Sequence, residues 1–267
     1  MTSGPRNRGR QTGPPAVQLS VIIPTLNEAS RIAEAIERAA ALAPYEIIVA
    51  DGGSSDSTVQ IARQQGQQVV VSEPGRGVQQ NAGARQARGD LLLFLHADTW
   101  LESQAAAQLQ QMASDPRVHM GAFRQKITSS RPIYRWIERG NAIRARYWGL
   151  PYGDQGIFVR RDTFFQWGGF PEVPIMEDLI FMRKVRRRSR IMLLPGPLHV
   201  SPRRWEQIGP LTQTLRNWGL LIAERVGVAP FVLARWYRPQ RHESEAGVNR
   251  TRNDSQKESK LPETTGS

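Results

Sequence analysis

Short apolar runs alternate with helical patterns over the first hundred residues of this chain. The apolar runs cover 19–24, 46–51, 68–72 and 91–95, and the last of them is apolar throughout. A run without polar positions is typical of a strand that is buried on both faces, as in a parallel sheet. The alternation therefore predicts βαβ units and an α/β fold, with a mostly parallel sheet flanked by helices.

The pattern is less regular after residue 117. It predicts an Arg-rich amphipathic helix over 133–148, a strand over 156–159 with a short helix after it, and a further helix over 177–188. This last helix begins with two acids and ends with basic residues, an order that suits the helix dipole. We therefore expect an Arg-rich helical C-terminal part.

The most apolar late stretch, 218–237, is interrupted by Glu224, Arg225 and Pro230. A membrane-spanning helix needs about 20 consecutive apolar residues, so this stretch is not expected to cross a bilayer. Two interpretations stay open, an interfacial helix with aromatic anchors and an ordinary helical pair packed on the domain.

Both ends of the chain have almost no large apolar side chains. We predict a disordered basic tail over 1–18, a disordered polar tail over 241–267 and a single domain over 19–240. Because the first 18 residues contain no apolar run, no secretory signal peptide is expected there, and the protein is expected to be cytoplasmic.

The 267 residues carry 36 Lys and Arg against 24 Asp and Glu, a formal net charge of +12, and no cysteine. The lack of cysteine excludes a disulfide scaffold, a Cys-ligated zinc site and a thiol nucleophile. The charge is uneven, because residues 19–116 sum to −5 and residues 117–240 to +14. This division suggests an anionic ligand that meets the second half, and it argues against an even coat for nucleic acid.

Polar residues follow the predicted strands where each strand ends. They are Asn27, Glu28, Asp51, Glu73, His96 and Asp98. In parallel sheets, ligands bind at the carboxyl ends of the strands. The sequence has no Walker loop and no Gly-x-Ser-x-Gly elbow, and the loop around Arg76 lacks the third glycine of a dinucleotide fingerprint.

His96 and Asp98 stand two positions apart after the last of these apolar runs. Side chains at i and i+2 of an extended strand point the same way, so both could address one divalent cation. Imidazole and carboxylate ligands suit Mn²⁺ or Mg²⁺, which would neutralise a leaving diphosphate. The pattern favours a metal-dependent nucleotide site.

Several ordered motifs resemble family 2 glycosyltransferases, which have a GT-A fold. Residues 21–28 are similar to the family's opening strand and loop, and residues 46–58 to its second strand and loop. Residues 77–85 resemble the segment before the metal strand, and 96–98, His-Ala-Asp, stand where the family has Asp-x-Asp. Residues 168–178 are similar to its acceptor-side motif, Gly-Gly-Phe followed by two acids.

The resemblance implies an inverting transfer of one sugar from a nucleotide-diphospho-sugar. Asp178 is implied as the general base, and Glu177 as the residue that orients the acceptor or the base. Asp98 is implied as a ligand of Mn²⁺ or Mg²⁺, and His96 takes the place of the family's first aspartate. Residues 19–116 would then be the nucleotide-binding half and 117–240 the acceptor half.

The resemblance also implies which residues meet the donor. Asp51 is similar to a family residue that contacts the nucleobase or ribose. The remaining predicted binding residues are Pro24, Asn27, Glu28, Arg76, Asn81, Arg204 and Trp205. An arginine offers a planar fork for phosphate, and a tryptophan offers a face for a sugar ring.

The expected partners are a UDP- or GDP-sugar donor and a small-molecule or lipid acceptor, with a hydroxyl or carboxyl as the acceptor group. No nucleic-acid partner is expected. Peripheral contact with an anionic membrane, at the inner face of the cell membrane, is expected. Three alternatives stay open, a nucleotidyltransferase of similar fold, a basic nucleic-acid-binding protein and a catalytically inactive relative. More narrowly, residues 95–99 and 201–205 resemble small bacterial transferases found beside radical-SAM proteins and linked by name to arsenosugar biosynthesis.

Overall fold

The computed structural model describes residues 17–236. Apart from residues 17 and 18, the two predicted tails lie outside this range. Within the range, the side chain of Arg204 is not described, so its predicted donor contact has no structural description. Contacts group the chain as far as Arg235 into one unit. No helix among residues 17–236 is long and apolar enough to cross a bilayer.

Eight strands and ten helices make up the described part of the chain, together with a 3-10 turn at Gly153–Gln155. The strands are β1 Leu19–Thr25, β2 Glu46–Asp51, β3 Gln68–Val71, β4 Leu91–Phe94, β5 Thr99–Leu101, β6 Met120–Ile127, β7 Phe158–Arg160 and β8 Met192–Val200. The helices are α1 Ile32–Ala40, α2 Thr58–Gln64, α3 Arg76–Gln86, α4 Gln104–Ala113, α5 Ile133–Trp148, α6 Arg161–Gln166, α7 Glu177–Val185, α8 Arg203–Ile208, α9 Pro210–Arg225 and α10 Pro230–Trp236.

The strands form one sheet in the order β3-β2-β1-β4-β7-β6-β8-β5. Strands β1 to β4 are parallel to one another, which confirms the predicted βαβ units. Strand β7 is antiparallel to both β4 and β6, β8 is parallel to β6, and β5 is antiparallel to β8. The second half of the chain therefore extends the sheet that the first half begins.

Each face of the sheet has its own apolar core. Neighbouring side chains of β1 point to opposite faces, so Val21 packs in one core with Ile32 of α1. Ile22 packs in the other core with Phe164 of α6 and Phe181 of α7. Because helices cover both faces, β1 and β4 are buried at every position, as their apolar sequences predict.

Helix α3 lies close to the sheet because small residues face its neighbours. An added Cβ at Gly83 would stand 2.6 Å from Ile22 Cγ2, and one at Gly77 would stand 2.5 Å from the Pro171 carbonyl oxygen. Both distances are too short for contact between non-bonded atoms, so a larger residue would push the helix away. The approach at Gly77 places Arg76, at the start of α3, beside the segment that precedes α7.

Replacing Gly121 of β6 with alanine is expected to destabilise the fold by roughly 1–3 kcal/mol or more, the usual cost of overpacking. The added methyl would stand 2.1 Å from the Met192 carbonyl oxygen and 2.4 Å from the Phe158 ring. The matched control is Gly140→Ala in α5, because no atom lies within 4 Å of its added Cβ. The free energy of unfolding of this control should rise by about 0.5–1 kcal/mol, because alanine has a higher helix propensity than glycine. Urea unfolding followed by circular dichroism gives the midpoint of each variant. Equal midpoints for Gly121→Ala and Gly140→Ala would contradict the packing at Gly121.

Candidate functional site

Asp51 fixes the loop that follows β2. Its carboxylate accepts hydrogen bonds from the backbone N–H groups of Gly53 and Ser54 at 2.9 and 2.8 Å, and from the Thr25 hydroxyl at 3.1 Å. The side chain is fully buried. The carboxylate thus holds the ends of β1 and β2 and the loop after β2 in one arrangement. Direct contact between Asp51 and a nucleobase or ribose stays a prediction.

Asn27 ties the loop after β1 to the loop after β2. Its side-chain carbonyl accepts the Ser55 backbone N–H at 2.9 Å, and its own backbone N–H donates to the Ser54 hydroxyl at 2.9 Å. The residue adopts a φ of 55°, a left-handed conformation in which asparagine is enriched. Glu28, the next residue, pairs with Arg31 at 2.8 Å. The two loops therefore form one polar rim at the carboxyl edge of the sheet.

Three residues predicted to bind the donor lie inside the protein. Pro24 is a buried position of β1. The Asn81 amide donates to the Phe170 carbonyl at 2.8 Å and accepts the Phe170 N–H at 3.0 Å, so it joins α3 to the Gly-Gly-Phe turn. The Trp205 ring is 5% exposed and packs edge-on against Tyr134, with 6.2 Å between ring centroids. The core covers this ring, so the predicted stacking of Trp205 on a sugar conflicts with the structure.

The strand geometry predicted at His96 and Asp98 is wrong. Strand β4 ends at Phe94, and the Thr99 N–H donates back to the His96 carbonyl at 3.1 Å, which closes a turn. The two residues do not lie on an extended strand, so strand alternation does not predict where the side chains of His96 and Asp98 point. Within residues 17–236, no group of three or more His, Asp or Glu side chains is placed to hold a metal ion. Joint metal binding by His96 and Asp98 stays a prediction.

Gly153 brings the predicted metal side and acceptor side of the site together. A Cβ added at this glycine would stand 3.2 Å from His96 Nε2 and 3.1 Å from Asp178 Oδ2. The Gly153 backbone N–H also donates to Asp178 Oδ2, and the Leu179 N–H donates to Asp178 Oδ1 at 2.7 Å. The imidazole and the carboxylate thus face one backbone position, and glycine leaves space between them.

Glu177 has a different environment from its neighbour Asp178. It is 2% exposed, and its Oε1 pairs with Arg76 Nε at 3.0 Å. Burial raises the pKa of Glu177, the Arg76 charge opposes this shift, and the Asp178 charge adds to it. The ion pair links the start of α3 to the start of α7 and so joins the two halves of the chain. Asp178 is half-buried, and the two adjacent acids therefore have separate surroundings.

Arg144 is a buried cation that sequence reasoning missed. Its Nε donates to the Leu150 carbonyl, and a terminal nitrogen donates to the Gln155 side-chain carbonyl, both at 2.9 Å. Its guanidinium carbon lies 3.2 Å from the centre of the Tyr152 ring. Burial lowers the pKa of Arg144, whereas the Tyr152 and Asp178 side chains oppose this shift. The cation thus lies within electrostatic reach of the predicted base.

The loop from Leu150 to Gln155 depends on this cation, because Arg144 bonds to both of its ends. Gly153 lies within the loop, so Arg144 indirectly sets the position of the Gly153 N–H. Helical spacing places Arg144 on the same face of α5 as Ile137, which stands seven positions earlier and packs against the core, and this signal could have shown that it points inward. The loop that it contacts cannot be inferred from that spacing.

Comparison with known proteins decides the family. A sequence model of the family described as "Glycosyl transferase family 2" matches residues 20–170. The chain belongs to glycosyl transferase family 2. The matched range includes the loops after β1 and β2, His96 and Gly153, and it stops before the paired acids of α7. The family resemblance inferred from the motifs is therefore confirmed.

The curated relatives of this family 2 member are longer than the chain. The undecaprenyl-phosphate 4-deoxy-4-formamido-L-arabinose transferase of Serratia proteamaculans is 29% identical over 164 residues, which cover 55% of this chain and 49% of that protein. The chain thus spans about half the length of the curated relatives it matches.

Solved structures confirm the GT-A fold of this family 2 member. S. aureus TarS 1-349 in complex with UDP-GlcNAc has a TM-score of 0.55 at 20% identity, covering 69% of this chain and 58% of that one. The mannosyltransferase PcManGT from Pyrobaculum calidifontis, in complex with GDP-Man and Mn²⁺, has a TM-score of 0.54 at 19% identity, covering 70% and 56%. At such identities the likeness shows the fold alone.

The Glu177 carboxyl is expected to make the stability of this family 2 member depend on pH. Burial raises its pKa above the ordinary 4.5, so the folded protein binds this proton more tightly than the unfolded chain does. The stabilisation is complete below pH 4.5 and is lost as the pH rises through the raised value. Glu177→Gln cannot titrate, so the wild type should gain stability relative to this variant as neutral solution is acidified.

Urea unfolding at a series of pH values measures this difference in free energy of unfolding. Glu172→Gln is the matched control, because Glu172 is an exposed glutamate five positions before Glu177. The control should show no such trend. A difference between wild type and Glu177→Gln that does not change with pH would contradict the raised pKa.

Proposed function

We propose that this chain moves one sugar from a nucleotide-diphospho-sugar to an acceptor hydroxyl or carboxyl, with inversion at the anomeric carbon. The observation that carries the proposal is the convergence of His96 and Asp178 on Gly153. Family 2 membership supports sugar transfer over the nucleotidyltransferase and nucleic-acid-binding alternatives. In a nucleotidyltransferase, the paired acids that open α7 would have no clear role.

The donor is proposed to be a UDP- or GDP-sugar. Proteins of the same fold were solved with UDP-GlcNAc and with GDP-Man, which supports this donor class. The nucleotide would lie on the polar rim that Asn27 and Asp51 hold together. Arg76, which opens α3 and pairs with the buried Glu177, is proposed to meet the diphosphate. Glu177 would then position this arginine, since its burial against Arg76 leaves it poorly placed to take a proton from an acceptor.

Asp98 and His96 are proposed to hold Mn²⁺ or Mg²⁺ at the donor diphosphate. Their donor set, one carboxylate and one imidazole, fits a cation that takes its other ligands from phosphate and water. Such a cation would supply positive charge that stabilises the departing diphosphate. The Mn²⁺ in the PcManGT complex supports a divalent ion for this fold.

Asp178 is proposed as the general base. It would take the proton of the acceptor oxygen while that oxygen attacks the anomeric carbon and the bond from this carbon to the diphosphate breaks. The proton then passes to solvent. The N–H groups of Gly153 and Leu179 hold the carboxylate in one orientation, and Arg144 places a buried positive charge nearby.

The acceptor is proposed to be a small molecule or a lipid. The name of the Serratia relative includes undecaprenyl phosphate, a lipid, which favours a lipid acceptor. A cytoplasmic location with contact at the inner membrane face suits such an acceptor and stays a prediction. Membership of the radical-SAM-associated, arsenosugar-type subfamily also stays a prediction.

Asp178→Asn is expected to lower the rate of sugar transfer by roughly 10²-fold or more, the usual contribution of a general base. A panel of UDP- and GDP-sugars with Mn²⁺, scored by thermal shift and slow hydrolysis, first identifies the donor. The variant should keep the thermal shift by that donor, because the carboxamide leaves the nucleotide side intact. Asp162→Asn, at an exposed aspartate of α6, is the control and should transfer normally. Normal transfer by Asp178→Asn would remove the base assignment, and no response to any donor would undermine the proposed function.

Asp98→Ala is expected to abolish the part of the thermal stabilisation by UDP or GDP that depends on Mn²⁺. A ligand that binds only the folded state raises its melting temperature, so loss of the metal site removes that increment. The measurement compares melting temperatures with nucleotide alone and with nucleotide plus Mn²⁺. Asp162→Ala is the matched control. A full Mn²⁺ increment in Asp98→Ala would show that this aspartate is not the ligand.

A further inference from the structure

Helix α9 presents its large apolar side chains to solvent. Leu211, Leu215 and Ile222 are 67%, 71% and 60% exposed, and they recur at helical spacing along one stripe. The buried side chain of this helix is polar, that of Gln213. The polarity is therefore the reverse of an ordinary surface helix, which packs its apolar stripe on the core.

Helix α5 adds a second exposed stripe, in which aromatic and basic residues alternate. Trp136, Ile143 and Tyr147 are 69%, 54% and 73% exposed. Arg139 and Arg146 are exposed at the intervening turns, and the Arg139 guanidinium lies 5.4 Å from the Trp136 ring centre. Opposite faces of the helix thus serve different purposes, since the inward face carries Arg144 and its contacts to the candidate site.

The two stripes meet at a pair of tryptophans. The rings of Trp148 at the end of α5 and Trp218 in the middle of α9 pack edge to face, with 6.1 Å between centroids. Both stay about half exposed, at 48% and 45%. We call the exposed set on these two helices the outer surface; it comprises Trp136, Ile143, Tyr147, Trp148, Leu211, Leu215, Trp218 and Ile222.

Positive charge lies beside the α5 part of the outer surface. Besides Arg139 and Arg146, Arg186 donates to the Trp148 carbonyl at 2.6 Å. A cavity of about 510 Å³ opens next to Arg146 and is also lined by Arg190 and by Arg117, which pairs with the Asp115 carboxylate at 2.9 Å. The apolar stripe of α9 therefore continues into a stripe of α5 that lies among guanidinium groups, which suits a partner that is apolar inside and anionic at its surface.

We propose that the outer surface docks on an anionic lipid bilayer. The aliphatic and aromatic side chains would enter the boundary between headgroups and acyl chains, and the arginines would meet lipid phosphates. Aliphatic residues such as Leu215 and Ile222 give a nucleic acid nothing to stack on or pair with. A second copy of this chain is a poorer partner. In a symmetric pair, the arginines of each copy would face those of the other across the interface, and their like charges would repel. The proposal rests on the proposed function for its purpose, since docking would bring the site to a lipid acceptor.

The test is flotation of the full chain, without donor or acceptor, with two kinds of vesicle. One is phosphatidylcholine alone, and the other is equal parts of phosphatidylcholine and phosphatidylglycerol. The wild type should float with the anionic vesicles, and less at high salt. The double variant Leu215→Ser/Ile222→Ser should bind at least about tenfold more weakly, because each lost side chain removes apolar area from the lipid contact.

The matched control removes two large apolar side chains that are exposed elsewhere, in Tyr45→Ser/Val71→Ser, at 54% and 56% exposure. It should bind as the wild type does, and circular dichroism should show both variants folded. Absence of wild-type binding, or equal binding by Leu215→Ser/Ile222→Ser, would overturn the proposal. So would a dimer that the same variant dissociates, or DNA binding that it abolishes, because each assigns the surface to another partner.

The outcome is separable from that of the proposed function. Asp178→Asn should float as the wild type does, because Asp178 lies outside the outer surface. Vesicle binding without sugar transfer from any donor would refute the proposed function and leave the docking surface standing. Sugar transfer without vesicle binding would refute the docking surface and leave the proposed function standing.

Discussion

The hydrogen bond from the Gly153 N–H to Asp178 is the contact on which the candidate site depends. It joins a loop of the second half to a helix start 25 residues further along the chain. A Cβ at position 153 would stand 3.2 Å from His96 and 3.1 Å from Asp178, so a larger residue would crowd both side chains. The loop holds its shape because Arg144 bonds to both ends. A buried guanidinium is costly unless its donors are satisfied, and these bonds offset that cost.

The two acids at the start of α7 carry the same chemical group in different surroundings. Glu177 is buried and paired with Arg76, and burial raises its pKa. Asp178 accepts two backbone N–H groups and stays half-buried. The ion pair of Glu177 links the two halves of the chain, and Asp178 is the acid proposed to meet an acceptor.

The charged groups of the chain gather in two regions, one in each half of the sequence. Acidic and polar groups gather on the first half at the carboxyl edge of the sheet, where a cation and a nucleotide would bind. Arginines of the second half point in two directions from α5. Arg144 points inward and supports the site, whereas Arg139 and Arg146 point outward among exposed aromatic rings. One helix would therefore connect a membrane-facing surface to the loop that carries Gly153.

The amino-acid sequence by itself determined the parallel strands β1 to β4, the helices between them and the extent of α5, because apolar spacing encodes burial directly. Motif similarity also identified the family, whereas the roles that it gives to the acids of α7 stay predictions. Strands β5, β6 and β8 were not predicted. In β8, Pro195 and Pro197 argue against a strand, and pairing with β6 holds it in place.

Only the tertiary structure decided which of the candidate residues meet. It placed Trp205 and Asn81 in the interior, turned the chain after β4 and brought His96 and Asp178 close to Gly153. It also turned the apolar stripe of α9 outward, which spacing alone would assign to a core. The physical reason is the same in each case. Periodicity records that a side chain lies on one face of an element, whereas the partner of that face comes from a distant part of the chain.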